Sequence, residues 1–455
     1  MTSMRLIRLQ EKIRILADDE LLMKLAKGGA AALIIKIGAA GLSFLMFVIL
    51  ARAMSSADFG RFGFAFSLAT ILAIVGSFGQ RMLVLRFASI YYDQGDQARL
   101  IGVIRFGYIS VIIGSAFLGI SVALIGLFWP GITTRNYLVI TGVFTVVLAL
   151  AEYQSHAFRA FGGIISALLP RDVLWRAGVI IFCIVAVFVF TQRLSVTQAL
   201  LIVTTVLAGV TFGQAISSQF TRPQNLIKNP KIYEIKEWKQ ASLRLWGIAI
   251  VNSVLPPLTV VILGIFSSPN DIAHYFAAIR ISMILSLFVL ASNMVVSPMI
   301  AKSFARNDIT NMRLVCKVSA ICVSLLTTMS AIIILTLGKS ILNLFGEGYS
   351  QAYFILCVLC LGTMINAFTG VCSATMTVSG HEKQGFKIIC FVNISAFILL
   401  FPLVSVYGVL GGAITLVASQ VVWNVACVVF LRKTIGIDTS ILSIFSSPKI
   451  RKEIH

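Results

Sequence analysis

The sequence predicts an all-α polytopic membrane protein with about twelve transmembrane helices. Three observations carry this. Of the 455 residues, 58% are hydrophobic and 12% charged, with a mean hydropathy of +0.96, whereas a soluble domain is about a quarter charged. Apolar runs of ~20 residues, long enough to cross a hydrocarbon core as a helix, recur along the whole chain. The alternating segments of about ten residues that mark an outer-membrane barrel do not occur.

Taken in order, the spans are expected at 32–54, 62–84, 103–128, 137–158, 173–190, 196–218, 243–266, 274–300, 316–338, 351–378, 386–404 and 408–431. Residues 1–31 spread their charges among recurring apolar residues (Leu6, Leu9, Ile13, Leu16). That pattern predicts an amphipathic cytoplasmic surface helix, not a cleaved signal peptide. The polar stretch "TRPQNLIKNPKIYEIKEWKQ" divides six spans from six. It predicts an N-terminal half at 32–220, a cytoplasmic linker at 221–242, a C-terminal half at 243–432 and a cytoplasmic tail at 433–455. Pro256 and Pro257 remove backbone donors in the middle of the seventh span, which should therefore kink. Trp129, Trp238 and Trp246 fall near expected membrane interfaces, where an aromatic belt accounts for them.

The formal net charge of +20 would suggest a nucleic-acid partner in a soluble protein. Here the distribution of basic residues supplies another explanation. With the N-terminus inside, 30 of the 37 Lys and Arg fall on cytoplasmic segments. Five (Arg52, Arg61, Arg135, Arg193, Lys339) fall on outer loops, and Lys36 and Arg280 lie within spans. The split predicts a multi-pass protein with both termini cytoplasmic and no nucleic-acid partner.

Two short stretches read as a repeat. "DFGRFGFA" (58–65) and "DIAHYFAA" (271–278) each open the second span of their half. Six spans separate them, so the halves would be parallel copies, not inverted ones.

Five stretches carry a family resemblance: "LARAMSSADFGRFGFAFSLATILAIVGSFG", "FRAFGG", "SSPNDIAHYFAAIRISMILSLFVLASNMVVSPMIAKSFARND", "FGEGYSQAYFILCVLCLG" with "SG" at 379–380, and "YGVLGGAITLVASQVVWN". In this order they resemble the polysaccharide-transport family, the O-antigen (Wzx-like) lipid-linked oligosaccharide flippases of the multidrug/oligosaccharidyl-lipid/polysaccharide exporter superfamily. The resemblance covers nearly the whole chain but includes no invariant catalytic signature. It implies two pseudo-equivalent six-helix lobes around a central cavity that works by alternating access. The implied substrate is a polyprenyl-pyrophosphate-linked oligosaccharide, an O-antigen or other surface polysaccharide repeat unit, moved across the bacterial cytoplasmic (inner) membrane. Membrane lipids and other polysaccharide-assembly membrane proteins are the implied partners. No cofactor is implied, and a proton or sodium gradient is the candidate driving force. The related lipid II flippases suggest a cationic cavity, although they usually have C-terminal spans beyond the twelve expected here.

Charges inside spans are expensive and therefore functional candidates. Arg280 lies nine residues after Asp271. Its fork suits a pyrophosphate; the alternatives are snorkelling to the outer interface or a pair with an outer carboxylate. Lys36, near the inner end of the first span, can contact substrate or snorkel. Glu152, His156 and Arg159 follow spacings of four and three and share one helical stripe. Glu152 is the one acid expected firmly within a span. It is either half of a neutralising internal pair or a gating and coupling residue, with His156 and Arg159 running from it toward the cytoplasm. Arg81 and Arg86 at the inner end of the second span fit positive-inside anchoring or substrate recruitment. Asn252 and Asn293 are substrate candidates, with interhelical hydrogen bonding as the competing use.

Enzymatic chemistry is not visible. There is no GxxxxGK[ST], no HExxH and no Cys/His cluster. Cys357 and Cys360 form a CxxC inside an apolar run, where packing accounts for them better than a metal. A cation-coupled multidrug antiporter of the same superfamily is the second reading. It would need carboxylates to hold cations, and the chain offers Glu152 against Lys36 and Arg280. A membrane-bound polymerase or ligase would need acid pairs or a large outer loop, and both are missing.

Overall fold

The computed structural model describes residues 33–128, 132–160, 163–190, 193–221, 232–306 and 308–444. The expected N-terminal amphipathic segment, residues 222–231 of the linker, Trp129 and the end of the C-terminal tail lie outside them. The described residues are almost entirely helical: α1 (Leu33–Ala53), α2 (Ser56–Gly76), α3 (Gln80–Asp93), α4 (Gln97–Phe128), α5 (Ile132–Arg159), α6 (Ile164–Leu169), α7 (Trp175–Phe190), α8 (Val196–Thr221), α9 (Ile235–Ser253), α10 (Leu255–Phe266), α11 (Pro269–Ala305), α12 (Ile309–Thr336), α13 (Gly338–Asn343), α14 (Tyr353–Phe368), α15 (Cys372–Val378) and α16 (Glu382–Thr434).

Ten of these segments are long and apolar enough to cross a membrane, or eleven if the bent pair α9–α10 is one span. Helix α16 has 53 residues and contains Gly408 at φ 53°, ψ −129°. At 1.5 Å per residue it would run ~80 Å, more than twice a hydrocarbon core of ~30 Å. It is therefore two spans joined at the glycine, which brings the count among the described residues to the expected twelve.

Three local features place the functional residues. The second span begins at Ser56, earlier than hydropathy indicates, because Ser55 caps it and accepts from the Asp58 backbone N–H at 3.1 Å. Ser268 does the same for Asp271 at 3.3 Å. The two repeated motifs thus start their helices with the same Ser-x-x-Asp cap. The expected kink at the Pro pair is present: α9 and α10 meet at 61°, because residues 256 and 257 cannot donate to the carbonyls one turn back. The fifth span begins well before the expected residue 173. Helix α6 runs into α7 through a π-helical turn at Pro170–Leu174, so Arg171 and Asp172 belong to the span and not to a loop.

Helix α2 packs along α4, α5 and α8, and α11 along α12 and α14. The two groups meet where α2 crosses α10 and α11 and where α3 meets α9. At the end where α2 and α11 are capped, the approach is close enough that a Cβ on Gly60 would lie 1.8 Å from the Pro269 carbonyl oxygen. Around it Phe59 lies edge-on to Phe276, with ring centroids 5.7 Å apart. Arg52 of α1 donates to the carbonyls of Leu344 (2.7 Å) and Asn343 (2.8 Å), capping the end of α13.

At the opposite end Trp238 is fully buried, contrary to the aromatic-belt expectation. Its Nε1 donates to the Tyr91 hydroxyl at 3.2 Å, and Tyr91 donates to Glu234 at 2.9 Å. Burial pushes the Tyr91 hydroxyl up to about 12, so it remains a donor at neutral pH. Arg99 closes the set with a 2.8 Å pair to Glu234. Trp246 is likewise engaged, donating to the Val75 carbonyl at 2.8 Å. Trp238→Ala should cost about 3–5 kcal/mol through the cavity left by a large buried side chain. A melting curve of the purified protein in detergent checks this, and an unchanged midpoint would mean that the α3–α9 contact carries no stability.

Candidate functional site: a charged cavity between the two helix groups

A cavity of about 330 Å³ lies where the two helix groups meet. Phe66 and Thr70 of α2, Arg81 of α3 and Glu152 of α5 line one side. Ser253 of α9, the Pro256–Pro257 pair of α10, and Phe276, Arg280 and Met283 of α11 line the other. The walls are mostly apolar, with two arginines and one carboxylate exposed to the space between them.

Arg280 rests on aromatic rings. Its guanidinium carbon lies 4.3 Å from the ring centres of both Phe47 and Phe276, and 5.5 Å from that of Phe66. Phe276 precedes it by one helical turn, so the ring and the fork share a face. The NH1 group reaches the Met283 sulfur at 3.8 Å, and Nε is buried without a hydrogen-bond partner. No carboxylate among the described residues pairs with it. The expected alternatives of snorkelling or an outer carboxylate therefore do not describe this side chain. A guanidinium tolerates such a site because it is weakly hydrated and stacks on aromatic faces.

Glu152 has two guanidinium partners. Arg81 lies at 3.2 Å through NH1, and Arg171 donates a short hydrogen bond to the other carboxylate oxygen. The expected stripe partners play smaller parts. His156 contacts the Glu152 backbone carbonyl through Nδ1 at 2.8 Å. Arg159, the last residue of α5, is exposed. The carboxylate is thus an internal ion-pair partner and a cavity wall at once.

Lys36 is not a free cation. Its Nζ donates to Asp172 at 2.5 Å, and Asp172 is buried. Arg171 and Arg176 approach the same carboxylate at 3.7 and 3.6 Å. Lys36, Asp172, Arg171, Glu152 and Arg81 therefore form one continuous chain of alternating charge leading to the cavity. Arg176 and Arg280 add to it, so five cations face two acids and the region is strongly positive.

The remaining candidates lie elsewhere. Arg86 is exposed and sits 5.7 Å from the Phe87 ring. Asn252 is exposed, and its neighbour Ser253 is the residue that lines the cavity. Asn293 is outside the cavity lining, and its Oδ1 is buried without a partner. The interhelical hydrogen bond at that level is made by Ser292 and Ser319 at 2.7 Å. Cys360 is buried in the core, and no group of three His, Cys, Asp or Glu among the described residues could hold a metal.

Comparison with known proteins agrees with this architecture. A family model described as "Polysaccharide biosynthesis protein" matches residues 25–304, more than half of the chain. A protein of Escherichia coli (strain K12), named "Putative O-antigen transporter", is 27% identical over 176 residues. That match spans 38% of this chain and 42% of the relative, less than half of its length. Among solved structures, an inward-facing multidrug resistance MATE family transporter of the MOP superfamily is similar over 88% of this chain and 94% of its own, with a TM-score of 0.66 and 15% identity. The lipid II flippase MurJ in an inward closed conformation is similar over 89% of this chain and 87% of its own, with a TM-score of 0.67 and 16% identity. Identities this low speak to the fold alone. The chain belongs to the polysaccharide biosynthesis protein family, and it has the fold of the MOP superfamily transporters.

Proposed function

We propose that the protein is a flippase that carries a polyprenyl-pyrophosphate-linked oligosaccharide, the repeat unit of an O-antigen or other surface polysaccharide, from the inner to the outer leaflet of a bacterial cytoplasmic membrane. The observation that carries this reading is Arg280, a guanidinium with no carboxylate partner among the described residues, held on phenylalanine rings and facing a cavity between two groups of helices. Such a group is costly to desolvate and gains most from an anion that arrives with its own charge. Arg81 on the opposite wall supplies a second fork. The family match, the similarity to an E. coli protein named "Putative O-antigen transporter" and the shared fold with the lipid II flippase MurJ support a lipid-linked sugar as cargo. In this reading both termini are cytoplasmic, the Trp238 end faces the cytoplasm and the capped end faces outward. Arg86 and Arg159 are anchors there. Glu152, with His156 beside it, is the candidate group for coupling to a proton or sodium gradient, and no cofactor takes part.

The site argues against a multidrug cation antiporter. The one carboxylate in the cavity wall is already engaged by Arg81 and Arg171, which leaves a cationic drug no free counter-charge. The deciding experiment reconstitutes the purified protein in proteoliposomes with a defined lipid-linked oligosaccharide and follows its appearance in the opposite leaflet, with and without ion gradients. Transfer above the protein-free rate is expected. Efflux of organic cations with no lipid transfer would overturn the proposal.

A further inference from the structure

Arg171 does not itself line the cavity, yet through its contact with Glu152 it determines what one wall residue can do. Glu152 and Arg81 both line the cavity and face each other at 3.2 Å. Left alone they would form a closed neutral pair, and an entering anion would have to displace a carboxylate from Arg81. Arg171 changes that balance from behind. It takes the second oxygen of Glu152 in a short hydrogen bond, so the carboxylate remains neutralised when Arg81 departs. Arg171 is itself held by a second acid. Asp172 lies 3.7 Å from it and is pinned by Lys36 at 2.5 Å and Arg176 at 3.6 Å. The π-helical turn at Pro170–Leu174 presents these two adjacent residues to the bundle interior, and π turns recur at functional positions in helices.

We propose that Arg171 is a positioning residue that keeps Glu152 neutralised, so that Arg81 can exchange onto an anionic headgroup in the cavity. The inference rests on the proposed flippase reading, because it requires an anion to enter the cavity. The predicted couplings have definite signs. Removing Arg171 makes Arg81 the sole partner of Glu152 and withdraws it from the ligand. Removing the Glu152 charge as well releases Arg81 again.

The test measures binding of geranylgeranyl diphosphate to the full-length protein in detergent micelles by titration calorimetry. Arg171→Gln should weaken binding about tenfold, equivalent to about 1.4 kcal/mol. Arg171→Lys, which keeps the charge, should stay close to wild type. The double variant Arg171→Gln/Glu152→Gln should recover most of the lost affinity, a rescue that a merely structural role for Arg171 would not produce. Glu152→Gln alone should bind at least as tightly as wild type, and this variant keeps the proposal exposed if Arg171→Gln fails to accumulate. Wild-type affinity in Arg171→Gln, no recovery in the double variant, or weakened binding in Glu152→Gln would each overturn the positioning role. A wild-type protein that does not bind the diphosphate would overturn the flippase reading itself, a different result from any of these.

Discussion

Arg280→Ala is expected to abolish export of the proposed lipid-linked oligosaccharide while leaving the protein in the membrane at its normal level. The two halves of this expectation have separate causes. Function should fail because the substitution removes the cavity's one cation that no acid among the described residues already occupies. Truncating one partner of a buried hydrogen-bonded charge pair costs about 2–5 kcal/mol, roughly thirtyfold or more in binding. The fold should survive because no ion pair is broken. The guanidinium contributes ring contacts with Phe47 and Phe276, and removing it also removes the cost of desolvating its charge. Arg280→Lys separates charge from shape. An ammonium keeps the charge but loses the planar fork and the stacking, so it should restore export only in part. Surface polysaccharide and membrane immunoblots in a strain carrying only the variant check both halves. Normal export would remove Arg280 from the transport path, and loss of the protein would make its role structural.

Hydropathy recovered the helical spans because it depends on long segments. Twelve runs of apolar residues and the Pro256–Pro257 kink are legible without any knowledge of side-chain placement. The candidate site was legible in part. Arg280, Arg81 and Glu152 stand out because ionisable residues near apolar runs are rare, and all three line the cavity. The same reasoning failed for Lys36, whose partner Asp172 sits in "PRDVLWR". A window average reads that string as a loop, whereas the protein continues the helix through it with a π turn and buries the acid. Arg159 misled for the opposite reason. Helical spacing alone put it on the Glu152 stripe, but the charges that reach Glu152 come from α3 and from the π turn. Neither Asn252 nor Asn293 lines the cavity, because one helical position decides whether a side chain faces inward, and sequence fixed α9 only to within a few residues. The phenylalanine cage had a signal that could have been used: Phe276 and Arg280 are one turn apart, as are Phe62 and Phe66. Phe47 comes from a different helix, and no local pattern announces it.

Gly60→Ala should shift the protein away from the arrangement in which the capped end is closed. A Cβ at this position would sit 1.8 Å from the Pro269 carbonyl oxygen and 3.2 Å from the Ala273 nitrogen. Both are backbone atoms of α11, so no side-chain rotation relieves the overlap, and α2 and α11 must separate. Overpacking of this kind costs about 1–3 kcal/mol. In an isolated core that cost would appear as lost stability. Here the contact joins two helix groups on either side of a cavity, so opening that end relieves the strain without unfolding either group. A two-state equilibrium then moves by the cost imposed on the closed state alone, about 5- to 150-fold toward the open one. The readout is a single cysteine at Thr70, a cavity residue, in a background without the eight native cysteines. A membrane-impermeant thiol reagent added at the capped end should label it faster in the Gly60→Ala protein than in the parent. Gly38→Ala and Gly41→Ala, at positions with open space around the added carbon, should leave the rate unchanged. On the proposed flippase reading, export should fall in Gly60→Ala even though the cavity charges are intact, because transport by alternating access would need both end states and the variant can no longer hold one of them closed. Equal labelling in parent and variant would mean that the α2–α11 contact at Gly60 is passive packing, and the closing element would then have to be sought at Arg52 and the end of α13.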